Sequence, residues 1–314
     1  MSSVRKESSD RVADMRSNEG ISVQDAPTCL LCQKDGCLLY ADQRDYLFSA
    51  PGLWSLYQCP ACGLIWMNPR PLAEDVGKLY HNYYTHHVQD RKRWTSSVLE
   101  FMNVSILKAS FGYADPNGAG RFEQAAGRLF SLMAPLREIV FLRIRMLRGE
   151  KRGRLLDVGC GNGNYLDRMK KLGWDVFGVE PDELAVKEAR DVYGLPIHAG
   201  SLDSAHFPDA YFDAVTLHHV IEHILDPIGL LKECRRVLKP QGKIFVITPN
   251  IDSLGHKTFT QSWRGLEIAF HFQIFFHSLP RKLLGTYRLL CRHRQDVSIS
   301  GLLVLAVKLR LMPA

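Results

Sequence analysis

Two sets of residues in this 314-residue chain have types and spacings that can do chemistry. The first is Cys29-Leu30-Leu31-Cys32 and Cys59-Pro60-Ala61-Cys62-Gly63, two C-x-x-C pairs with 26 residues between them. Each pair can grip a metal from a tight knuckle, and four thiolates close a tetrahedral Zn²⁺ site with no position left for water. Such a zinc is structural, and in a module this small metal binding supplies on the order of 10–16 kcal/mol of folding free energy. The second set is Leu155-Leu156-Asp157-Val158-Gly159-Cys160-Gly161-Asn162-Gly163-Asn164, which reads as a buried strand, a glycine turn and the start of a helix. Open α/β sheets build ligand sites in this way, at the carboxyl end of a strand.

The turn is G-x-G-x-G. Asn164 stands where a pyrophosphate-binding turn places its last Gly or Ala, which disfavours a nicotinamide cofactor. Seventeen residues after Gly163, the run Gly173–Glu180 reads as a second strand ending in an acid, and an acid there can accept bonds from both ribose hydroxyls. Further markers follow at Gly200-Ser201-Leu202-Asp203 and at Leu217-His218-His219-Val220-Ile221-Glu222-His223.

Over about residues 150 to 250, the order and spacing of these motifs resemble the class I S-adenosylmethionine-dependent methyltransferases. The resemblance is to the small-molecule branch that includes the ubiquinone-biosynthesis O-methyltransferases. It implies an α/β fold: a Rossmann-like sheet with helices on both faces, here joined to a small amino-terminal zinc ribbon. It also implies that Asp157, Gly159, Gly161 and Gly163 hold the methionine part of S-adenosyl-L-methionine, that Glu180 takes the ribose, and that Leu202 and Asp203 bracket the adenine. His218 is expected to touch the cofactor through its backbone. Ser201 stands where relatives often carry an aspartate.

Methyl transfer from an activated sulfonium needs mainly an acceptor held in line, and a hydroxyl acceptor also needs a base. His219 and His223 are candidates for that base, with His271 a second one. Trp263, Arg264 and His271 are candidates for the acceptor pocket. Some relatives place a divalent cation in the 218–223 segment, but they carry an acid where this chain has His219, so no catalytic metal is assigned.

The elements that must position these groups follow from periodicity. Helices are expected over Val98–Phe111, Gly127–Leu147, Asn164–Leu172, Glu183–Tyr193 and Ile228–Leu238. Strands are expected at Asp175–Glu180, Ile197–His198, Asp213–Leu217 and Gly242–Thr248, the last entered by a turn at Pro240-Gln241. The antiparallel strands that normally finish such a sheet are not legible after Leu283, where Leu302–Val307 is only a short apolar run. The domains expected are a disordered leader over 1–26, the ribbon over 27–70, a helical connector over 71–150 and the methyltransferase domain over 151–314.

Composition is that of an ordinary soluble protein, with 46% apolar and 23% charged residues. The net charge of +7 gathers in Arg137–Arg154 and in the last 34 residues, which suits a solvated face, an anionic substrate or a peripheral membrane contact. Between Cys29 and Cys62 only Lys34 and Arg44 are basic, which argues against nucleic acid. His86 and His87, beside Tyr83 and Tyr84, read as a polar loop. No apolar stretch reaches the ~20 residues of a membrane span, and no secretory leader is visible, so a cytoplasmic protein acting on a small molecule or a glycan or lipid precursor is expected. The alternative is a catalytically silent cofactor-binding scaffold whose ribbon recruits a partner.

Overall fold

The computed structural model describes residues 16–80, 97–113, 121–274 and 302–308. The amino-terminal part holds strands β1 (Arg16–Asn18), β2 (Ile21–Gln24), β3 (Cys37–Gln43), β4 (Trp54–Gln58), β5 (Ile65–Met67) and β6 (Arg70–Pro71), then a single turn α1 (Val76–Leu79). Helices α2 (Ser97–Ser110), α3 (Arg121–Ser131) and α4 (Ala134–Arg143) connect it to the central sheet. There β7 (Arg154–Val158), α5 (Asn164–Lys171), β8 (Asp175–Glu180), α6 (Glu183–Tyr193), β9 (Ile197–Ala199), β10 (Phe212–His218), α7 (Pro227–Val237) and β11 (Leu238–Pro249) alternate. A short α8 (Leu254–Phe259), β12 (Gln273–Ile274) and β13 (Leu302–Lys308) complete the described elements.

The central sheet has the order β13-β11-β10-β7-β8-β9. Five strands are parallel and β13 is antiparallel to β11, with Ile244 opposite Val307. The apolar run at 302–307 therefore forms an antiparallel strand, outermost on that side among the described residues, that the sequence did not reveal. Alternation along each strand sends neighbours to opposite faces. Leu155, Ala214 and Phe245 pack with α2, α4, α5 and α6, whereas Leu156, Val215, Ile244 and Val246 pack with α7 and with Cys29, Cys59, Leu64 and Trp66 of the ribbon. Helices thus cover both faces, and the ribbon shares one of them.

Several expected boundaries move for physical reasons. Residues 16–24 are paired strands rather than leader, because Ile21 and Val23 are buried against Trp54, Leu56 and Phe270. The single helix expected over 127–147 is two, broken at Leu132–Met133, because Pro135 has no N–H for an interior turn and instead starts α4. In place of a turn before the fifth strand, β11 is continuous with a register shift between the pairings of Phe212 and Ala214 with Leu238 and Lys243. His86, His87, Tyr83, Tyr84 and most of the basic tail lie outside the described residues.

Helices α2 and α3 approach closely at Gly127, where an added Cβ would collide with the Ser105 carbonyl oxygen. Gly127→Ala should therefore lower stability in urea melts by about 1–3 kcal/mol. Ala125→Ser, at an exposed position of the same helix, should stay within about 0.5 kcal/mol of the parent.

Candidate active site

At the carboxyl end of β7 the Asp157 side chain is completely buried. Its Oδ1 accepts from the Thr216 hydroxyl at 2.7 Å and from the guanidinium of Arg145, while Oδ2 is buried with no hydrogen-bond partner among the described residues. Arg145 also lies over the Tyr165 ring, 3.7 Å from its centroid, so one cation is sandwiched between a carboxylate and an aromatic face. Burial pushes the Asp157 carboxyl up to about 6, against the pull of Arg145 and the Thr216 hydrogen bond. The orphaned Oδ2 can accept from a cationic donor such as an α-ammonium group.

The glycine turn brings β8 into the same site. Gly161 has φ +54 and a Cβ built there would meet nothing within 4 Å, so the backbone faces open space. Gly163, at φ +80, caps α5 where a Cβ would press on Leu195 and Ala189. Glu180, at the end of β8, is buried; its oxygens accept from the Gly161 and Asp182 amides at 2.8 and 3.1 Å. Burial pushes its carboxyl above the ordinary range, with those two bonds opposing. Leu202 is buried, Asp203 beside it is exposed, and both follow β9 at the same end of the sheet.

After β10 the chain reverses sharply. His219 takes φ +56, and its N–H donates to the Ile247 carbonyl at 2.8 Å. Its Nδ1 lies 3.0 Å from Oε1 of Glu222, a fully buried carboxylate whose Oε2 has no hydrogen-bond partner among the described residues. Burial is the largest influence and opposes the charge on Glu222, but the His219 hydrogen bond and the surrounding imidazoles of His223, His271 and His219 together hold the group at about 2. His219 is 37% exposed, so its ring is open to solvent on the other side. His218 is pushed down to about 3 by burial and then by the Arg145 charge.

His223 and His271 differ from His219. His223 Nδ1 lies 3.1 Å from the Phe270 carbonyl, which can only accept, and 2.9 Å from the Tyr80 hydroxyl. His271 is buried, with Nδ1 donating to the Gly265 carbonyl at 3.0 Å and Nε2 3.6 Å from Glu267. The two rings meet edge to face at 4.8 Å, and burial lowers both pKa values, His271 to about 3. Burial thus disfavours the charged form of both rings, and they wall the carboxylate of Glu222, with which they form a compact three-ligand group. Trp263 packs beside His256, and Arg264 is exposed on the adjoining turn.

The four ribbon thiols converge, with Cys32 and Cys59 Sγ atoms 3.3 Å apart and those of Cys29 and Cys62 3.5 Å apart. Zn–S bonds of ~2.3 Å set tetrahedral S–S edges near ~3.8 Å, so the set fits zinc with slight expansion. The knuckles match in backbone as well: the Cys29 and Cys59 amides donate to the Lys34 and Leu64 carbonyls, and Gln33 takes φ +57 where the second knuckle has Gly63 at +75.

Arg145 was legible only as one of a run of basic residues expected on a solvated face. No local pattern marks it as the one that turns inward, and the same is true of Tyr80, 143 residues from its partner His223.

A methyltransferase domain model matches residues 127–281. The ubiquinone biosynthesis O-methyltransferase of Idiomarina loihiensis is 32% identical over 170 residues, covering 48% of this chain and 67% of that protein. The enzyme of the same name from Vibrio cholerae is 33% identical over 150 residues, covering 43% of this chain and 61% of that protein. A solved S-adenosylmethionine-dependent methyltransferase from Archaeoglobus fulgidus aligns over 49% of this chain and 66% of that one, 23% identical, with a TM-score of 0.38. The chain belongs to the class I S-adenosylmethionine-dependent methyltransferases. The match leaves more than a third of the Vibrio protein's length uncovered.

The Asp157 carboxyl makes a pH prediction. Its folded pKa of about 6 lies above the unfolded value of ~3.9, so the associated stability is fully present below ~3.9 and is lost as pH rises to about 6. The apoprotein should lose roughly 3 kcal/mol over that window from this group. Asp157→Asn should flatten the loss in urea titrations at pH 4, 5, 6 and 7; an unchanged slope would rule out this assignment.

Proposed function

We propose that the protein transfers a methyl group from S-adenosyl-L-methionine to a hydroxyl of a small molecule or of a glycan or lipid precursor. The observation that carries this reading is the His219–Glu222 pair. It stands at the carboxyl end of β10, on the sheet edge that also presents Asp157 and Glu180. The names of the relatives support an oxygen acceptor.

The cofactor supplies an activated methyl group. The orphaned Asp157 Oδ2 suits its ammonium and Arg145 its carboxylate, with the Gly159–Gly163 backbone alongside. Glu180 serves the ribose, while Leu202, Asp203 and the His218 backbone bound the remainder. Because His219 Nδ1 must donate to the ionised Glu222, Nε2 is left with its lone pair and accepts the acceptor's proton. Burial disfavours charge on His223 and His271, which are turned toward protein groups, so they act by shielding Glu222 from water. No helix among the described residues is long and apolar enough to cross a membrane, and a reducing cytoplasmic setting suits a thiolate site.

Calorimetric titration tests the cofactor. The intact protein should bind S-adenosylmethionine, and Arg145→Ala should weaken binding about tenfold or more, a charge-assisted contact being worth roughly 1.5–3 kcal/mol. Absence of binding by the parent protein would overturn the reading. Transfer of labelled methyl to a panel of catechols, phenols and hydroxylated glycans tests the base: His219→Ala should slow turnover by about 10²–10⁴ while leaving cofactor affinity unchanged.

A further inference from the structure

The ribbon's sheet is completed by a strand that arrives some 200 residues later. Its order is β12-β5-β4-β3, with Gln273 opposite Trp66 and Ile274 opposite Ile65. The Met67 amide extends this pairing to the Phe272 carbonyl at 3.1 Å. Strand β5 itself begins at the second knuckle, where the Cys59 amide holds the Leu64 carbonyl at 2.9 Å. The thiolates therefore fix the end of β5, and β5 fixes β12.

From this sheet, contacts run to one short turn. The Phe272 amide donates to the Glu222 carbonyl at 2.8 Å. The completely buried Gln273 side chain donates through Nε2 to the carbonyls of Ile221 and Ile224, both at 2.6 Å. Arg70, from β6, reaches the Leu225 carbonyl at 3.5 Å and the Gln273 Oε1 at 3.3 Å. Four of the five carbonyls from Ile221 to Leu225 are thus met by residues around the ribbon sheet. Residues 221–223 form a single 3-10 turn, too short to satisfy its own carbonyls, so its geometry is set from outside. That turn carries Glu222, and Glu222 orients His219.

We propose that the zinc ribbon is a positioning device for the acceptor side of the site, with Gln273 as the positioning residue through which the metal-closed ribbon sets the His219–Glu222 pair. This rests on the reading of His219 as the base, but its test does not depend on turnover. The hydrogen bonds of the Gln273 side chain among the described residues go to Arg70 and to the Ile221 and Ile224 carbonyls, not to the cofactor residues or His219. Its amide is a fork whose two donors fix two carbonyls three residues apart, so losing it frees the turn without removing a charge. The metal acts through the same path: with the thiolates unclosed, the β5 end that β12 pairs with is no longer fixed.

The experiment uses the full chain labelled with ¹⁵N-histidine. Long-range proton–nitrogen spectra report which His219 nitrogen carries the proton, with Glu222→Gln marking the signal of an unheld ring. Gln273→Leu, and separately zinc removal by a chelator, should each move the His219 signal toward that of Glu222→Gln, and zinc return should restore it. Affinity for S-adenosylmethionine should stay within about threefold of the parent. Gln273→Glu keeps the oxygen facing Arg70 but loses both donors, and should behave as Gln273→Leu if the latter folds poorly. An unmoved His219 signal after metal removal and in both variants overturns the proposal. So does loss of cofactor affinity in step with the His219 change, which would make the ribbon a support of the whole fold. A parent protein that binds no cofactor defeats the methyltransferase reading alone, because the His219 signal can still be followed.

Discussion

The charge of Asp157 has no access to water, and much of the architecture follows from having to neutralise it. A buried carboxylate is tolerated only when it is paired and hydrogen-bonded. Thr216 comes from the adjacent parallel strand, so the sheet supplies one partner directly. The other, Arg145, cannot come from the sheet; it arrives from the end of the helical connector, where Arg145 and Met146 both take positive φ to turn the chain inward. Packing of Ile106, Val140 and Ile144 against Leu155 and Val176 holds that connector on the sheet face. The connector is therefore part of the candidate cofactor site, and a partition at residue 151 separates Arg145 from the carboxylate it serves.

The opposite side of the site is built without a comparable charge pair. Here the ribbon and the segment after β11 share one apolar core, in which Trp54, Leu56, Ile65 and Met67 pack with Leu266, Phe270, Phe272 and Ile274. A ribbon of short strands has too little interior to be stable alone, and metal closure is one answer. Borrowing a strand and aromatic residues from the carboxyl-terminal part is another, and this chain has that borrowed strand together with a four-thiol set compatible with a metal. The ribbon is thus tied to its host sheet on one face and to the histidine-bearing turn on the other.

What the sequence disclosed and what it hid divide by range. The strand Asp175–Glu180 and the helix Glu183–Tyr193 were legible to the residue, because periodicity is a local signal. The thiolate set was legible because each knuckle is four residues long. The break before α4 is also written locally, in Pro135, but the apolar stripe that runs through it masks the signal. Arg145, Tyr80 and Gln273 were illegible for a different reason. Their partners lie 12, 143 and about 50 residues away, and nothing in their neighbourhood separates them from other arginines, tyrosines and glutamines. Strand β13 was hidden because a six-residue apolar run becomes a sheet strand only beside β11.

His219 brings the local and the distant together. A non-glycine residue at φ +56 sits in a region that costs of order 1–3 kcal/mol, and it persists only where its surroundings over-determine it. Two bonds do so here: the backbone N–H to Ile247 in the neighbouring strand, and the ring Nδ1 to Glu222. The first belongs to the parallel sheet and the second to the turn held by the ribbon side. An extended residue at 219 would carry β10 onward past the sheet edge; the left-handed one turns the imidazole back beside Glu222. The strain is therefore the means by which a strand end presents an imidazole beside a buried carboxylate, and it is sustained because two separately built parts of the molecule meet at this one residue.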